Sequence, residues 1–218
     1  MGRPRTFDTD EALDAALGVF WRHGFEGASL ARLEKATGLS RSSLYQAFGD
    51  KEALFDKALG RYRTMWMNPQ LAALEQPDAG PSELRAYFRT LAAGLRADPA
   101  LARRGCLFVN SMAELGAARG GSPRILTEHL RRLTGLFDRA LGQNGRSPLP
   151  GHQTGDTLVA ALFGVLVTVR VDPALAARQC DSLADGLTTD ELPPRTAERP
   201  TTGAMSAATS ASRSSCWE

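Results

Sequence analysis

Three times in the first fifty residues a capping side chain precedes an apolar-periodic segment and a glycine closes it. Asp8 opens the first segment, with Glu11 three residues on, and Gly24 ends it. Ser29 opens the second, which Gly38 turns, and Ser40 opens the third, which Gly49 breaks. Asp50 then stands ahead of a longer fourth segment. Side-chain oxygens at such positions accept the free amides of a first helical turn, and glycine reaches the backbone angles that end a helix. The pattern predicts helices over 9–23, 29–37 and 40–48, and one long helix over 51–74. In the first, Leu13, Ala16, Leu17 and Phe20 form the apolar stripe, and Trp21 widens it.

The same punctuation continues. Pro81 suits the first turn of a helix over 82–97, which Asp98-Pro99 interrupts. A helix over 106–118 follows, then a Gly/Ser/Pro loop at 120–123. Ile125, Leu126, His129, Leu130, Leu133, Leu136, Phe137 and Leu141 space out an amphipathic helix. After a loop over 142–151, residues 154–170 are apolar on nearly every side, which predicts a central or interface helix. Asp172-Pro173 starts a last helix. From 188 onward the Thr/Ser/Ala/Pro/Arg-rich composition predicts a disordered tail. Strand patterning is almost absent, so the expected fold is all-α.

Bulk properties exclude more than they select. The 218 residues carry a net charge of +2, so any nucleic-acid surface must be a local patch. Cys106, Cys180 and Cys216 are too few and too scattered for a disulfide framework, and they and the three histidines show no metal-ligand spacing. No cofactor motif is found. The N-terminus lacks a signal-peptide core, and the longest apolar run, 158–169, falls short of the roughly 20 residues of a bilayer span. A cytoplasmic protein with no membrane partner is expected.

The segment 27–55 carries the functional signal. Two short helices meet at a glycine turn. Leu30, Leu33, Leu39, Leu44 and Phe48 form its buried side and leave Arg41, Ser42, Tyr45 and Gln46 outward. Arginine can donate two hydrogen bonds to a guanine edge, and serine and glutamine can reach bases or phosphates. Lys51, in the first turn of the next helix, lies where charge and free amides attract a phosphate. Arg3 and Arg5 form a basic arm ahead of the first helix. Within this segment Ser43-Leu-Tyr-Gln-Ala-Phe-Gly-Asp-Lys-Glu-Ala-Leu-Phe55 closely resembles the DNA-binding signature of the TetR family, Leu-Tyr-x-x-Phe-x-x-Lys-Glu-x-Leu. The resemblance covers about residues 8–60. Glu34 and Thr37 depart from it, standing where the family has small apolar residues.

The resemblance implies a three-helix helix-turn-helix domain (1–50), a helical ligand-binding and dimerisation domain (51–190) and the tail (191–218). It implies a homodimeric transcriptional regulator, not an enzyme, that binds palindromic double-stranded DNA and is released by an unidentified small-molecule effector or by thiol modification. Such regulators are most often repressors. The expected DNA contacts are Arg3, Arg5, Ser29, Arg41, Ser42, Ser43, Tyr45, Gln46 and Lys51. The expected dimer interface is Leu158, Leu162, Phe163, Leu166 and Leu183. Met65, Trp66, Phe88, Phe108, Met112, Leu133 and Phe137 are candidate pocket residues, and plain core is the alternative for each.

Cys106 follows Arg103-Arg104-Gly105 at a helix start, where cations and free amides favour a thiolate and hence a redox or electrophile sensor. A buried structural thiol is the alternative. Two further function classes compete: a thiol enzyme with Cys106 as nucleophile and His129 or His152 as base, and an architectural DNA binder without an effector.

Overall fold

The structure, a computed structural model, describes residues 7–115, 122–142 and 154–187, and every regular element among them is helical. The capping residues act as their positions predict. Asp8 starts α1 (Thr9–Gly27) by accepting the Asp10 and Glu11 amides at 2.8 and 3.2 Å. Ser29 caps α2 (Leu30–Thr37), Ser40 caps α3 (Arg41–Phe48), and Asp50 caps α4 (Lys51–Tyr62), accepting the Ala53 amide at 2.7 Å. Gly38 takes the left-handed conformation that turns α2 into α3, at φ 69°. Gly24, at φ 72°, breaks α1 inside its span, and a final turn restarts at Phe25.

One apolar cluster gathers Phe20, Phe25, Leu33, Leu44 and Phe48 from α1–α3 and Phe55, Ala58 and Leu59 from α4. Phe55 is edge-on to Phe20 at 4.9 Å and meets Phe25 at 5.1 Å. Each such ring contributes about 1.5–3 kcal/mol by leaving water. The bidentate pair of Arg61 on Asp14, at 2.7 and 2.8 Å, ties α4 to α1 and holds the Asp14 carboxyl below its usual range.

The expected continuous helix over 51–74 is interrupted. After Tyr62 the backbone widens into a π turn, Arg63–Met67, and resumes as the single turn α5 (Asn68–Leu71). Pro69 has no amide to donate back to the Met65 carbonyl, so the α-helical ladder cannot run through.

Behind this lies the body. α6 (Pro81–Ala97) leads through α7 (Pro99–Ala102) to α8 (Leu107–Leu115), α9 (Ser122–Ala140), α10 (Gly155–Thr168) and α11 (Pro173–Gly186). The described part of α8 ends at Leu115, so the expected extension to 118 and the tail beyond 188 lie outside the described residues. α11 packs along α6, and Arg89 and Arg96 both pair with Asp181 across that contact. Arg132 of α9 reaches back to Glu75 and to Asn68 of α5.

α10 separates two faces. Leu158, Val159, Leu162, Val165 and Val169 are buried within the protomer, whereas Ala160, Gly164 and Val167 are exposed. The expectation that Leu158 and Leu162 meet a partner chain is therefore corrected. They are 2% and 1% exposed because they lie in the apolar cluster that α10 shares with α9 and α11. Phe163, Leu166 and Leu183 are half-buried against the same core. Among the described residues no helix is long and apolar enough to cross a membrane.

Candidate DNA-binding face and ligand cavity

α3 presents its polar side outward. Leu44 and Phe48 are buried, Arg41, Ser42 and Gln46 are exposed, and Ser43 and Tyr45 are half-buried. The Arg41 guanidinium lies over the Tyr45 ring at 5.4 Å, one helical turn away. Ser40 organises the start of α3: its hydroxyl accepts the Ser43 amide and lies 2.9 and 3.0 Å from the hydroxyls of Ser42 and Ser43. Ser29 uses its hydroxyl on the Arg32 amide at 3.4 Å. Lys51 sits over the buried Phe25 ring at 4.6 Å, in the first turn of α4. Arg3 and Arg5 lie outside the described residues.

Glu34 and Thr37, the two departures from the family pattern, both find polar work at the turn. Glu34 Oε1 accepts the Arg41 amide at 2.7 Å. Thr37 donates to the Leu33 carbonyl at 2.8 Å and accepts the Leu39 amide at 3.3 Å. Polar residues at these places satisfy amides that small apolar ones would leave to water.

The body contains a cavity of about 310 Å³ between α6, α8, α9, α10 and the end of α4. Of the expected pocket residues, Trp66 and Leu133 line it. Phe88, Phe108 and Phe137 are instead fully buried core, Met112 packs against the first apolar cluster, and Met65 is exposed. Phe88, Phe108 and Phe137 spend their surface on other apolar groups: Phe88 on Phe137 and Tyr87, Phe108 on Tyr62 and His129. Phe163 and Leu166, expected at the dimer seam, line the cavity as well.

Sequence reasoning missed the wall that matters most. Trp21 belongs to α1, the helix ahead of the helix-turn-helix, and lines the cavity. Its indole donates to the Gly105 carbonyl at 2.9 Å, and its ring meets Tyr62 at 5.1 Å and Trp66 at 5.4 Å. The one hint was its place at the edge of the α1 stripe. A second link has no local signal. The Glu114 carboxylate of α8 accepts the Phe25 amide at 2.9 Å and the Glu26 amide at 2.8 Å, capping the turn that restarts after Gly24. A Cβ at Gly24 would lie 2.5 Å from Glu114 Oε2, so glycine supplies both the backbone angle and the room.

Cys106 also lines the cavity, but not as the sequence suggests. Burial pushes its thiol up, outweighing the opposite pull of the Val109 and Phe108 amides and the Tyr62 hydroxyl. The two arginines turn elsewhere: Arg103 donates to the Val171 carbonyl, and Arg104 lies over the Trp21 ring. His129 lines the same cavity, and burial, helped by Arg132 and Arg63, pushes it down to about 4. Both groups are thus driven to their neutral forms, the opposite of the thiolate–imidazolium pair a thiol enzyme needs. Burial pushes Cys180 up to about 12, and His152 and Cys216 lie outside the described residues.

Two short helices joined at a left-handed glycine, the second polar on its open side, mounted on a helical body with an apolar cavity, define a helix-turn-helix transcriptional regulator. Comparison with known proteins gives the family. Residues 12–58 match the model of the bacterial regulatory proteins of the tetR family. The chain is 33% identical over 153 residues to the HTH-type transcriptional repressor ComR of Escherichia coli (strain K12), which covers 69% of this chain and 72% of that protein. A cysteine mutant of the TetR-family regulator CifR, complexed with 26-bp double-strand operator DNA, is 28% identical and superposes with a TM-score of 0.61 over 85% of this chain and 97% of that one. SCO4454, a TetR-family regulator from Streptomyces coelicolor, shares the fold with a TM-score of 0.65 at 22% identity, over 82% of this chain and 92% of that one. The chain belongs to the tetR family of bacterial regulatory proteins.

Proposed function

We propose that this protein is a cytoplasmic, non-enzymatic transcriptional repressor that binds a palindromic operator as a homodimer and leaves it when a small molecule occupies the body cavity. The observation that carries the reading is Trp21: a residue of the DNA-binding domain forms a wall of the cavity. A ligand that displaces this indole moves α1, and α1 carries α2 and α3 with it through their shared core. Two α3 helices must sit one DNA turn apart, roughly 34 Å, to read both half-sites, so a change of their spacing costs affinity. The ComR name and the operator complex of CifR support the repressor and operator parts.

The outward stripe of α10 and its continuation, Ala160, Gly164, Val167 and Val171, supports the dimer. Val167 and Val171 are 56% and 79% exposed, and small neighbours let a second helix approach closely. Between the two modes of release, burial of Cys106 favours a non-covalent ligand over thiol modification.

Footprinting on the DNA flanking the gene tests the reading. Protection of one palindrome, absent on random DNA, is expected. Arg41→Ala should relax the preference at one base position at a cost of about 1–3 kcal/mol. Lys51→Ala should weaken binding to all sequences alike and lower the salt slope by about one unit. Binding by both variants equal to the parent's would remove α3 and Lys51 from the interface.

A further inference from the structure

The cavity selects by what it lacks as well as by what lines it. Its wall contains the rings of Trp21, Tyr62, Trp66, Tyr87 and Phe163 and, among the described residues, no lysine or arginine. The one carboxylate at the lining among the described residues is Asp98, which is exposed and accepts the Leu101 amide at 2.9 Å as the cap of α7. An anion entering this space would shed its water with no cation to meet it, and a cation would find its counter-charge already turned to a helix end and to solvent. The volume of about 310 Å³ is at the small end of the roughly 300–1,000 Å³ of ligand pockets.

One residue of the wall, His129, carries a ring nitrogen without a hydrogen-bond partner among the described residues. The residue is 3% exposed, and the buried atom is its Nδ1. Its ring is fixed edge-on to Phe108 at 4.7 Å. The charged neighbours from packed elements are Arg132, on its own helix, and Arg63, in the π turn; Arg132 is itself held by Glu75 and Asn68. Burial and these two cations keep the imidazole uncharged. A neutral imidazole offers one donor and one acceptor nitrogen, and a hydroxyl can answer either.

We propose, resting on the reading of this protein as a ligand-controlled repressor, that its effector is an uncharged, mainly aromatic molecule bearing a hydroxyl that partners His129. The aromatic part stacks among the cavity rings, and the hydroxyl sets the preference among compounds of one shape. Removing a buried unsatisfied polar group from isolation is worth enough to discriminate strongly.

Equilibrium dialysis of the full chain at pH 7 tests this with four probes of one size: 2-naphthol, naphthalene, 2-naphthoate and 2-naphthylmethylammonium. The expected result is binding of 2-naphthol at least about tenfold tighter than of the other three. His129→Phe, checked for helicity by circular dichroism, should bind 2-naphthol and naphthalene alike. Gly94→Phe is the second variant. Gly94 lines the cavity, and a Cβ there meets nothing within 4 Å, so the added ring should lower binding of 2-naphthol and naphthalene together. Operator binding by the probe-free protein is measured in parallel, and its loss would sink the repressor reading without altering the probe ranking. The proposal is overturned if either charged probe binds as tightly as 2-naphthol, if no probe binds, if His129→Phe keeps the preference for the hydroxyl, or if Gly94→Phe binds like the parent.

Discussion

The helix-turn-helix and the body are held together by contacts of opposite range. Between residues 29 and 53 every cap and turn contact joins residues at most seven apart: Ser29 to Arg32, Thr37 to Leu39, Glu34 to Arg41, Ser40 to Ser43 and Asp50 to Ala53. Within the body, and between it and α1, the contacts are distant: Arg89 meets Asp181 across 92 residues, Trp21 meets Gly105 across 84, and Glu114 meets Phe25 across 89. The reading head is thus a locally specified unit, and the body can act on it chiefly by moving it whole. The ties between α1 and what lies behind it include Asp14 to Arg61, Trp21 to the cavity wall, and Glu114 to the turn after Gly24.

The largest expected effect separates the two faces of α10. Leu162→Asp places a charge in a core with no partner, a penalty of several kcal/mol against a typical domain stability of about 5–15 kcal/mol. The protomer should lose its cooperative thermal transition. Val167→Asp puts the same charge on the exposed face, so helicity should persist while light scattering shows dissociation to monomers. A folded monomer from Leu162→Asp, or an intact dimer from Val167→Asp, would reverse the assignment of the two faces.

The next effect sharpens the contrast by pH. His129 is pushed from its ordinary 6.5 to about 4 in the folded body. As pH falls, the unfolded chain takes up this proton first, so the associated stability is complete above the ordinary value and is lost as pH drops from 6.5 to about 4. The loss over the whole window is about 3 kcal/mol at most. Denaturant titrations at pH 7 and 5 should show the parent losing more stability than His129→Phe. Parallel losses in the two proteins would mean that the unfolded state does not gain this proton ahead of the native one. Carboxylates held low by arginines, such as Asp14 and Asp181, begin to lose their contribution only further down, as pH falls through the ordinary carboxylate value at which the unfolded chain takes up protons, and lose it fully below that range.

These ranges of contact explain what was legible in the sequence. Asp8, Ser29, Ser40 and Asp50 announce their helices because a cap and the amide it binds are two or three residues apart. Hydrophobic periodicity found α10 but could not say which side of an all-apolar helix its own protomer covers, and Leu158 and Leu162 were assigned outward for that reason. The cavity list could not separate pocket from core: Trp66 and Leu133 line the cavity, and others are core. Phe88, Phe108 and Phe137 are spaced as apolar helix residues are, and whether such a ring meets another ring or empty space depends on helices far along the chain. Only the sensor reading of Cys106 rests on proximity in sequence: Arg103 and Arg104 adjoin it in the chain, yet their guanidinium groups go to Val171 and Trp21, and the buried-thiol alternative fits the structure.

The smallest expected effect tests the longest tie. Glu114 caps the Phe25–Gly27 turn from α8, far along the chain, and loss of an ordinary helix cap costs about 1 kcal/mol. Glu114→Ala should therefore leave the global melting transition little changed. What should change is local: the Phe25 and Glu26 amides lose their acceptor, and their hydrogen exchange should accelerate while amides of α3 keep their protection. Gln at the same position retains one carbonyl acceptor and should fall between. Because α2 and α3 follow directly from this turn, a freer turn lets the reading head sample more orientations against the body. Operator affinity should drop by no more than about fivefold, the factor that 1 kcal/mol carries. If Phe25 and Glu26 exchange as in the parent, the carboxylate is not the acceptor that holds the turn. If instead α3 loses protection together with them, the reading head is not the self-contained unit that its short-range contacts describe.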